Sequence, residues 1–287
     1  MAVPTTSVQT GTSTGTSSVV ITKPVGLAVG DLMLGYILTY AGGTITISTP
    51  SGWTSLLAYT GSTTRKFSVF SKVADSGDVA ASNFTFSLSI VSSYTLGSIV
   101  ACSGVASGSE ITASEIDSAA STSTPSLTGT STPATTDSLV LMSFGGFDPN
   151  TGAITVGSYA STPSKTWTEL VDLSVDSGAI DPFLAIASAT SGSTSQITNY
   201  SATLSASKDS VQATLIVVRP PLNASGTNSL LSVSPTHFSQ SGSSGTTGTN
   251  ELLEVSPETF DQSGKGTSPT QWVNEDKPTT TWINDTI

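Results

Sequence analysis

The sequence predicts an all-β protein: a β-sandwich of immunoglobulin-like or jelly-roll type, internally duplicated with about seven strands per half, and an extended repeat-containing C-terminal tail. Three observations predict it. Few stretches of ten or more residues escape Gly, Pro or Ser/Thr clusters, and β-branched and aromatic residues fill the apolar positions, so helical periodicity never develops. Alternation with a period of two is explicit at Phe84, Phe86, Leu88 and Ile90, separated by Thr85, Ser87 and Ser89. The order of landmarks in residues 1–110 recurs in residues 111–221.

Along the chain, a Thr/Ser/Gly-rich start leads into the apolar Val19-Val20-Ile21. Leu32–Leu38 is continuously apolar and reads as a central strand covered on both faces. Turn residues precede Trp53, the predicted core anchor of the first half, and Thr54-Ser55-Leu56 follows it. Strand candidates continue at Phe67–Val73, Phe84–Ile90 and Ser98–Val105. In the second half, Leu139-Val140-Leu141 answers Leu32-Met33-Leu34, and Trp167-Thr168-Glu169-Leu170 answers Trp53-Thr54-Ser55-Leu56. Phe183–Ala189, Tyr200–Ala206 and Ala213–Pro220 complete the series, and the continuously apolar Leu215–Val218 reads as a second covered strand. Two packings fit this pattern: tandem sandwiches at 1–110 and 111–221, or one joint sandwich over 1–221.

Arg219-Pro220-Pro221 closes the last strand, because proline cannot donate to a ladder. The tail, 222–287, is built differently. Units 228–249 and 250–271 share ten of fifteen leading positions, from Asn228 to Gly242 and from Asn250 to Gly264. A Trp-x-Asn-acid echo at Trp272 and Trp282 fills 272–287. Each unit offers two Leu, one Val and one Phe, too little apolar area to offset its own ordering entropy. The units are then either flexible tethers or segments that order on another surface or a sheet edge; the spaced anchors favour docking, with Leu230, Leu231, Val233, Phe238, Leu252, Leu253, Val255, Phe260, Trp272 and Trp282 as the candidate docking residues.

Composition narrows the function. Ser and Thr supply 99 of 287 residues and Asp, Glu, Lys and Arg only 29, with net charge −11. That balance, without Lys/Arg clusters, argues against nucleic-acid binding. One Cys and one His leave no disulfide within the chain and no multi-histidine or thiolate metal site. No apolar run approaches the roughly 20 residues of a membrane helix, and Met1–Thr16 lacks the basic and apolar regions of a secretory signal. Synthesis in a cytoplasm without membrane insertion is expected.

The motifs that could carry chemistry have plainer readings. Gly11-Thr12-Ser13-Thr14-Gly15 spells the string of a hydrolase nucleophile elbow but has no helix signal after it, and the sole histidine, His237, lies in the tail. Asp148-Pro149-Asn150-Thr151-Gly152 opens like a calcium loop, yet Tyr159 stands where the bidentate Glu belongs. Asp75, Asp78, Asp172, Asp176 and Asp181 read as turn formers capping their own backbone. Cys102 reads as a small core residue. No catalytic residue, metal ligand or cofactor is expected.

Val19–Leu34, Pro50-Ser51-Gly52-Trp53, Phe70–Ala74 and Leu215–Pro220 together resemble β-rich structural proteins of tailed bacteriophages. Lys277–Asn284 resembles the short Trp/Asn/Lys repeats at the ends of phage virion proteins. The resemblance implies a non-enzymatic virion component, decorating or attached to the capsid or tail, whose partners are capsid or tail subunits and further copies of itself. The alternative it leaves open is a tail or head-fibre adhesin that recognises a host-surface glycan through loop-end Asp, Asn and aromatic residues.

Overall fold

The computed structural model describes residues 2–221 other than 60–61, 109, 128–130, 149–151 and 177–179. The chain groups into two units, 1–227 and 228–287, and the first holds every described element. The protein is all-β, in antiparallel sheets. Strands β1 (Thr5–Thr22), β2 (Leu32–Tyr40), β3 (Thr54–Ala58), β4 (Arg65–Val73) and β5 (Asn83–Ser103) form one five-stranded sheet in the order β1-β5-β2-β4-β3. A single helical turn, α1 (Ser76–Ala80), joins β4 to β5.

In the second half, β6 (Ile111–Thr122), β7 (Ser126–Leu127), β8 (Leu139–Asp148), β9 (Val156–Thr162), β10 (Thr168–Ser174), β11 (Asp181–Thr190), β12 (Thr198–Leu204) and β13 (Lys208–Val218) follow. They make a five-stranded sheet, β10-β11-β8-β13-β6, and a three-stranded one, β7-β12-β9. Taking β6, β13, β8, β11 and β10 as counterparts of β1, β5, β2, β4 and β3, the two large sheets have the same strand order.

The first half has five strands where about seven were expected, because β1 and β5 bend through both of its layers instead of breaking. Their outer parts pair at Ser18–Thr22 with Asn83–Ser87, and their inner parts at Thr5–Thr16 with Ser92–Ser103. Two glycines make the fold-back possible. Gly11 lies opposite Gly97 in this ladder, and a Cβ on Gly11 would stand 2.3 Å from the Val20 carbonyl oxygen, one on Gly97 2.8 Å from Ile21 Cδ1. In the second half the same path is interrupted, so β6/β7 and β12/β13 stand where β1 and β5 run on.

The continuously apolar runs have a direct cause. Leu32, Leu34, Tyr36 and Leu38 of β2 share a buried cluster with Leu139, Leu141, Phe147, Leu184, Ile186, Ile216 and Val218 of the second half. The alternate residues Met33 and Ile37 point the other way, to Val19, Ile21, Trp53, Phe70, Phe84 and Phe86. On β8, Val140, Met142 and Phe144 likewise meet Val156, Ile197, Tyr200, Ala202 and Leu204. Each five-stranded sheet is thus covered on both faces, and the cluster between the two halves is common to both. Every such side chain contributes roughly 1.5–3 kcal/mol by leaving water.

Local expectations were met unevenly. Phe84, Phe86 and Leu88 are buried in alternation, but Ile90, where β5 bends, is 37% exposed. Trp53 packs edge-on to Phe84 and Phe86 at 5.9 and 5.3 Å. Trp167 only borders its cluster, partly buried. Registers also correct the internal alignment by one residue. Leu32 faces Val73 whereas Leu139 faces Thr190, so Phe67 corresponds to Leu184 and not to Phe183. Consistently, Phe67 and Leu184 share the central cluster while Phe183 lies in the outer one.

Tyr36 is fully buried, and its hydroxyl has no hydrogen-bond partner among the described residues. Burial first, and Cys102 second, hold its pKa well above the ordinary tyrosine value. Removing an orphaned hydroxyl removes its desolvation cost, so Tyr36→Phe is expected to leave stability unchanged or raise it by about 1 kcal/mol, read as the urea midpoint.

Candidate functional site

Charged side chains are few, and most of those described are tied to the chain's own loops. In the turn before β3, Trp53 N–H donates to Pro50 O at 3.1 Å, and Gly52 has a φ of +78°, the conformation that the third residue of a type II turn requires. That turn rests on Lys72 of β4: a Cβ on Gly52 would come within 3.2 Å of Lys72 Nζ. Lys72 Nζ reaches Asp78 Oδ1 at 2.7 Å and Asp75 Oδ2 at 3.2 Å. The two aspartates form a reciprocal capping box at α1, with Asp78 N–H donating to Asp75 Oδ1 at 3.0 Å and Asp75 N–H to Asp78 Oδ2 at 2.9 Å.

Burial by itself would lower the Lys72 pKa, but the hydrogen bonds and charges of Asp78 and Asp75 outweigh it and raise it above the ordinary 10.5. Asp75 is held below the ordinary 3.8, chiefly by the Asp78 N–H and then by Lys72. The ammonium therefore stays protonated and is unsuited to act as a general base. The signs follow from linkage. The Lys72 contribution to stability is fully present below pH 10.5 and is lost as pH rises through its higher folded value. The Asp75 contribution is present above pH 3.8 and is lost as pH falls through its lower folded value. Lys72→Met, which leaves the Asp78 carboxylate buried without its cation, is expected to cost about 2 kcal/mol near neutrality. Urea midpoints of wild type and variant should converge at both pH extremes.

Lys72 also lines a shallow cleft of about 360 Å³ with Leu32, Thr54, Ser71, Val73, Gly108, Glu110 and Ile111. Glu110 accepts from the Gly108 N–H at 2.7 Å, and its carbonyl accepts from the Arg219 N–H at 2.8 Å. The body's last residues, Arg219-Pro220-Pro221, thus leave beside this cleft.

The second half uses its carboxylates in the same manner. Asp181 accepts from Gly152 N–H at 2.8 Å and Asp172 from Val156 N–H at 3.2 Å, latching the segment that leads into β9 and the first residue of that strand. Burial raises the Asp172 pKa against the opposing Val156 hydrogen bond. Tyr159 OH donates to Glu169 Oε2 at 3.3 Å, and burial, then Glu169 and Asp172, push its pKa up. Lys23, Lys66 and Lys165 donate to the carbonyls of Val79, Ser62 and Ser191. Among the described residues no group of three or more His, Cys, Asp or Glu gathers around a common point. Residues 149–151 of the calcium-loop-like segment lie outside the described residues.

The chain was compared with family models, with curated proteins and with solved structures. Nothing matched.

Gly11-Thr12-Ser13-Thr14-Gly15 lies wholly inside β1, without the strand-to-helix turn that a nucleophile elbow needs. Cys102 is fully buried in the central cluster, where burial and then the Asp31 charge push its thiol up to about 12. Native protein at pH 8 should therefore resist a thiol reagent such as DTNB, and one thiol per chain should react in guanidinium. Leu230, Leu231, Val233, Phe238, Leu252, Leu253, Val255, Phe260, Trp272 and Trp282, the candidate docking residues, lie outside the described residues, as does His237. The Lys72–Asp75–Asp78 group was legible only in part. Asp75 and Asp78 were visible as turn formers, but nothing in the letters shows that Lys72 points out of β4 toward them. No helix among the described residues is long and apolar enough to cross a membrane.

Proposed function

We propose that this chain is a non-enzymatic structural protein of a tailed-bacteriophage virion, decorating or attached to its capsid or tail, and that its C-terminal repeats dock it onto neighbouring subunits. The body is a duplicated β-sandwich that serves as spacer and contact surface. One observation carries the reading. Lys23, Lys66, Lys72, Lys165, Asp75, Asp78, Glu110, Asp172 and Asp181 hold the body's own loops and turns through backbone hydrogen bonds or ion pairs. Charge arranged this way fixes the shape of loop ends and leaves little for a reacting group. The phage assignment rests on the resemblance of Val19–Leu34, Pro50–Trp53, Phe70–Ala74, Leu215–Pro220 and Lys277–Asn284.

Deletion of 228–287 tests the proposal. The truncated body is expected to keep the wild-type urea midpoint and to be missing from purified particles, by immunogold labelling and immunoblot. Incorporation at the wild-type level would refute the docking role. Binding of the purified full chain to host cells or their polysaccharide, with none to particles stripped of it, would replace decoration by the adhesin.

A further inference from the structure

Trp53 and Trp167 occupy equivalent positions in the two halves. Leu32 faces Val73 as Leu139 faces Thr190, and in the next ladder Thr54 faces Ser71 as Thr168 faces Ser188. Both of these outer ladders break at the same place, after Ser55 and after Glu169. By this register Glu169 stands where the first half has Ser55. Met142 and Ala187, which face each other, stand where the first half has Gly35 and Phe70.

The exchange of neighbours leaves the two indoles in different surroundings. Trp53 is 8% exposed. Gly35 leaves room beneath it, since a Cβ there would lie 3.3 Å from Trp53 Cζ3, and Phe84 and Phe86 close over it edge-on. In the second half the buried Met142 sets a long side chain where Gly35 has none, and Ala187 replaces a phenyl ring by a methyl group. Trp167 is half-buried, and among the described residues no ring packs on it. Its Nε1 is covered and has no hydrogen-bond partner there, so what the side chain shows to solvent is ring carbon.

Beside this apolar surface stand polar groups absent from the first half. Trp167 and Glu169 are two residues apart in extended chain, so their side chains leave on the same side, about 7 Å apart. The Glu169 carboxylate is exposed. Among the described residues its side-chain partner is the Tyr159 hydroxyl of β9, at 3.3 Å. An aromatic carbon surface next to a hydroxyl and a free carboxylate oxygen matches a sugar ring, which has one C–H face and a rim of hydroxyl donors.

We propose that Trp167, Tyr159 and Glu169 form a binding site for a neutral sugar ring, its C–H face on the indole and its hydroxyls donating to Glu169. Charge and geometry select that class. Glu169 and a net charge of −11 disfavour an anionic ligand. A quaternary ammonium is held by several ring faces at once, whereas the Tyr159 ring leans on Phe144 at 6.3 Å and leaves the indole as the open surface. The site lies wholly within the body, so it stands or falls separately from the docking role of 228–287.

The test uses the full chain and the methyl glycosides of glucose, galactose, mannose and N-acetylglucosamine, in both anomers, followed by saturation-transfer and indole N–H NMR. At least one glycoside is expected to bind with a dissociation constant on the order of 1 mM, shifting the Trp167 indole resonance and leaving that of Trp53 in place. Trp167→Ala should abolish binding. Glu169→Gln, at an exposed position, should keep the wild-type urea midpoint and weaken binding about tenfold. The double variant Trp272→Ala, Trp282→Ala should bind as the wild type does. No binding of any glycoside at roughly 50 mM, undiminished binding by Trp167→Ala or Glu169→Gln, or loss of binding in the tail double variant would each overturn the proposal. So would a shift of the Trp167 resonance by choline where no glycoside shifts it.

Discussion

Residues 1–110 expressed alone are expected to self-associate or aggregate, and not to yield a stable monomer. Their half of the central cluster is Leu32, Leu34, Tyr36, Leu38, Phe67, Val69, Leu96, Val100 and Cys102, all buried in the intact chain against side chains from the second half. Separating the halves returns these side chains to water at a cost on the order of 15 kcal/mol, comparable to or above the whole stability of a typical domain. Light scattering after size exclusion checks the result. A monodisperse monomer of 1–110 with a cooperative urea transition would mean that the outer cluster around Trp53, Phe84 and Phe86 suffices by itself. Co-expression with 111–221 is expected to restore a soluble pair, since the missing face is then supplied in trans.

The second large effect is expected at Gly11. Its Cβ position lies 2.3 Å from the Val20 carbonyl oxygen and 3.1 Å from Ile21 Cγ1, and a backbone atom cannot swing away as a side-chain tip can. Gly11→Val should destabilise the body by about 3 kcal/mol, the upper part of the range for overpacking, and Gly11→Ala by less. The bend of β1 is the part that must open, so loss of amide protection should begin at Ser18–Thr22 and their partners Asn83–Ser87. Gly42→Ala is the control: its Cβ position has no neighbour within 4 Å, so the change should be neutral or stabilise by about 0.5 kcal/mol through the unfolded chain. Equal urea midpoints for Gly11→Val and wild type would show that the fold-back does not require glycine there.

Much of the strand inventory was legible because apolar patterning records burial directly. Leu32–Leu38 and Leu215–Val218 are apolar at every position because sheets or folded-back strands cover both of their faces, and Phe84–Leu88 alternates because one face meets solvent. Cys102 was legible for the same reason. The internal alignment was less so. Matching Phe67 to Phe183 by letter is off by one residue, and in a strand one residue reverses the face. Either reading gives a plausible apolar strand, so only the register against β2 and β8 decides.

The chemistry-bearing residues divide in the same way. An aspartate two or three residues from its turn partner announces a cap, as Asp75 and Asp78 do. Asp181 capping Gly152, or Lys165 reaching Ser191, joins residues more than twenty apart in sequence, and composition holds no trace of such pairings.

By itself the sequence determined an all-β chain with few charges, one thiol destined for the interior, and a body that gives way after Arg219-Pro220-Pro221 to a repeat region of different character. These follow from local rules, the period of two and the turn chemistry of Gly, Pro and Asp, which act within a few residues. Only the tertiary structure decided that the halves share a central core and that β1 and β5 bend through two layers over Gly11 and Gly97. Each of those depends on which strand lies beside or above which, a long-range choice set by the fit of side chains from segments up to two hundred residues apart.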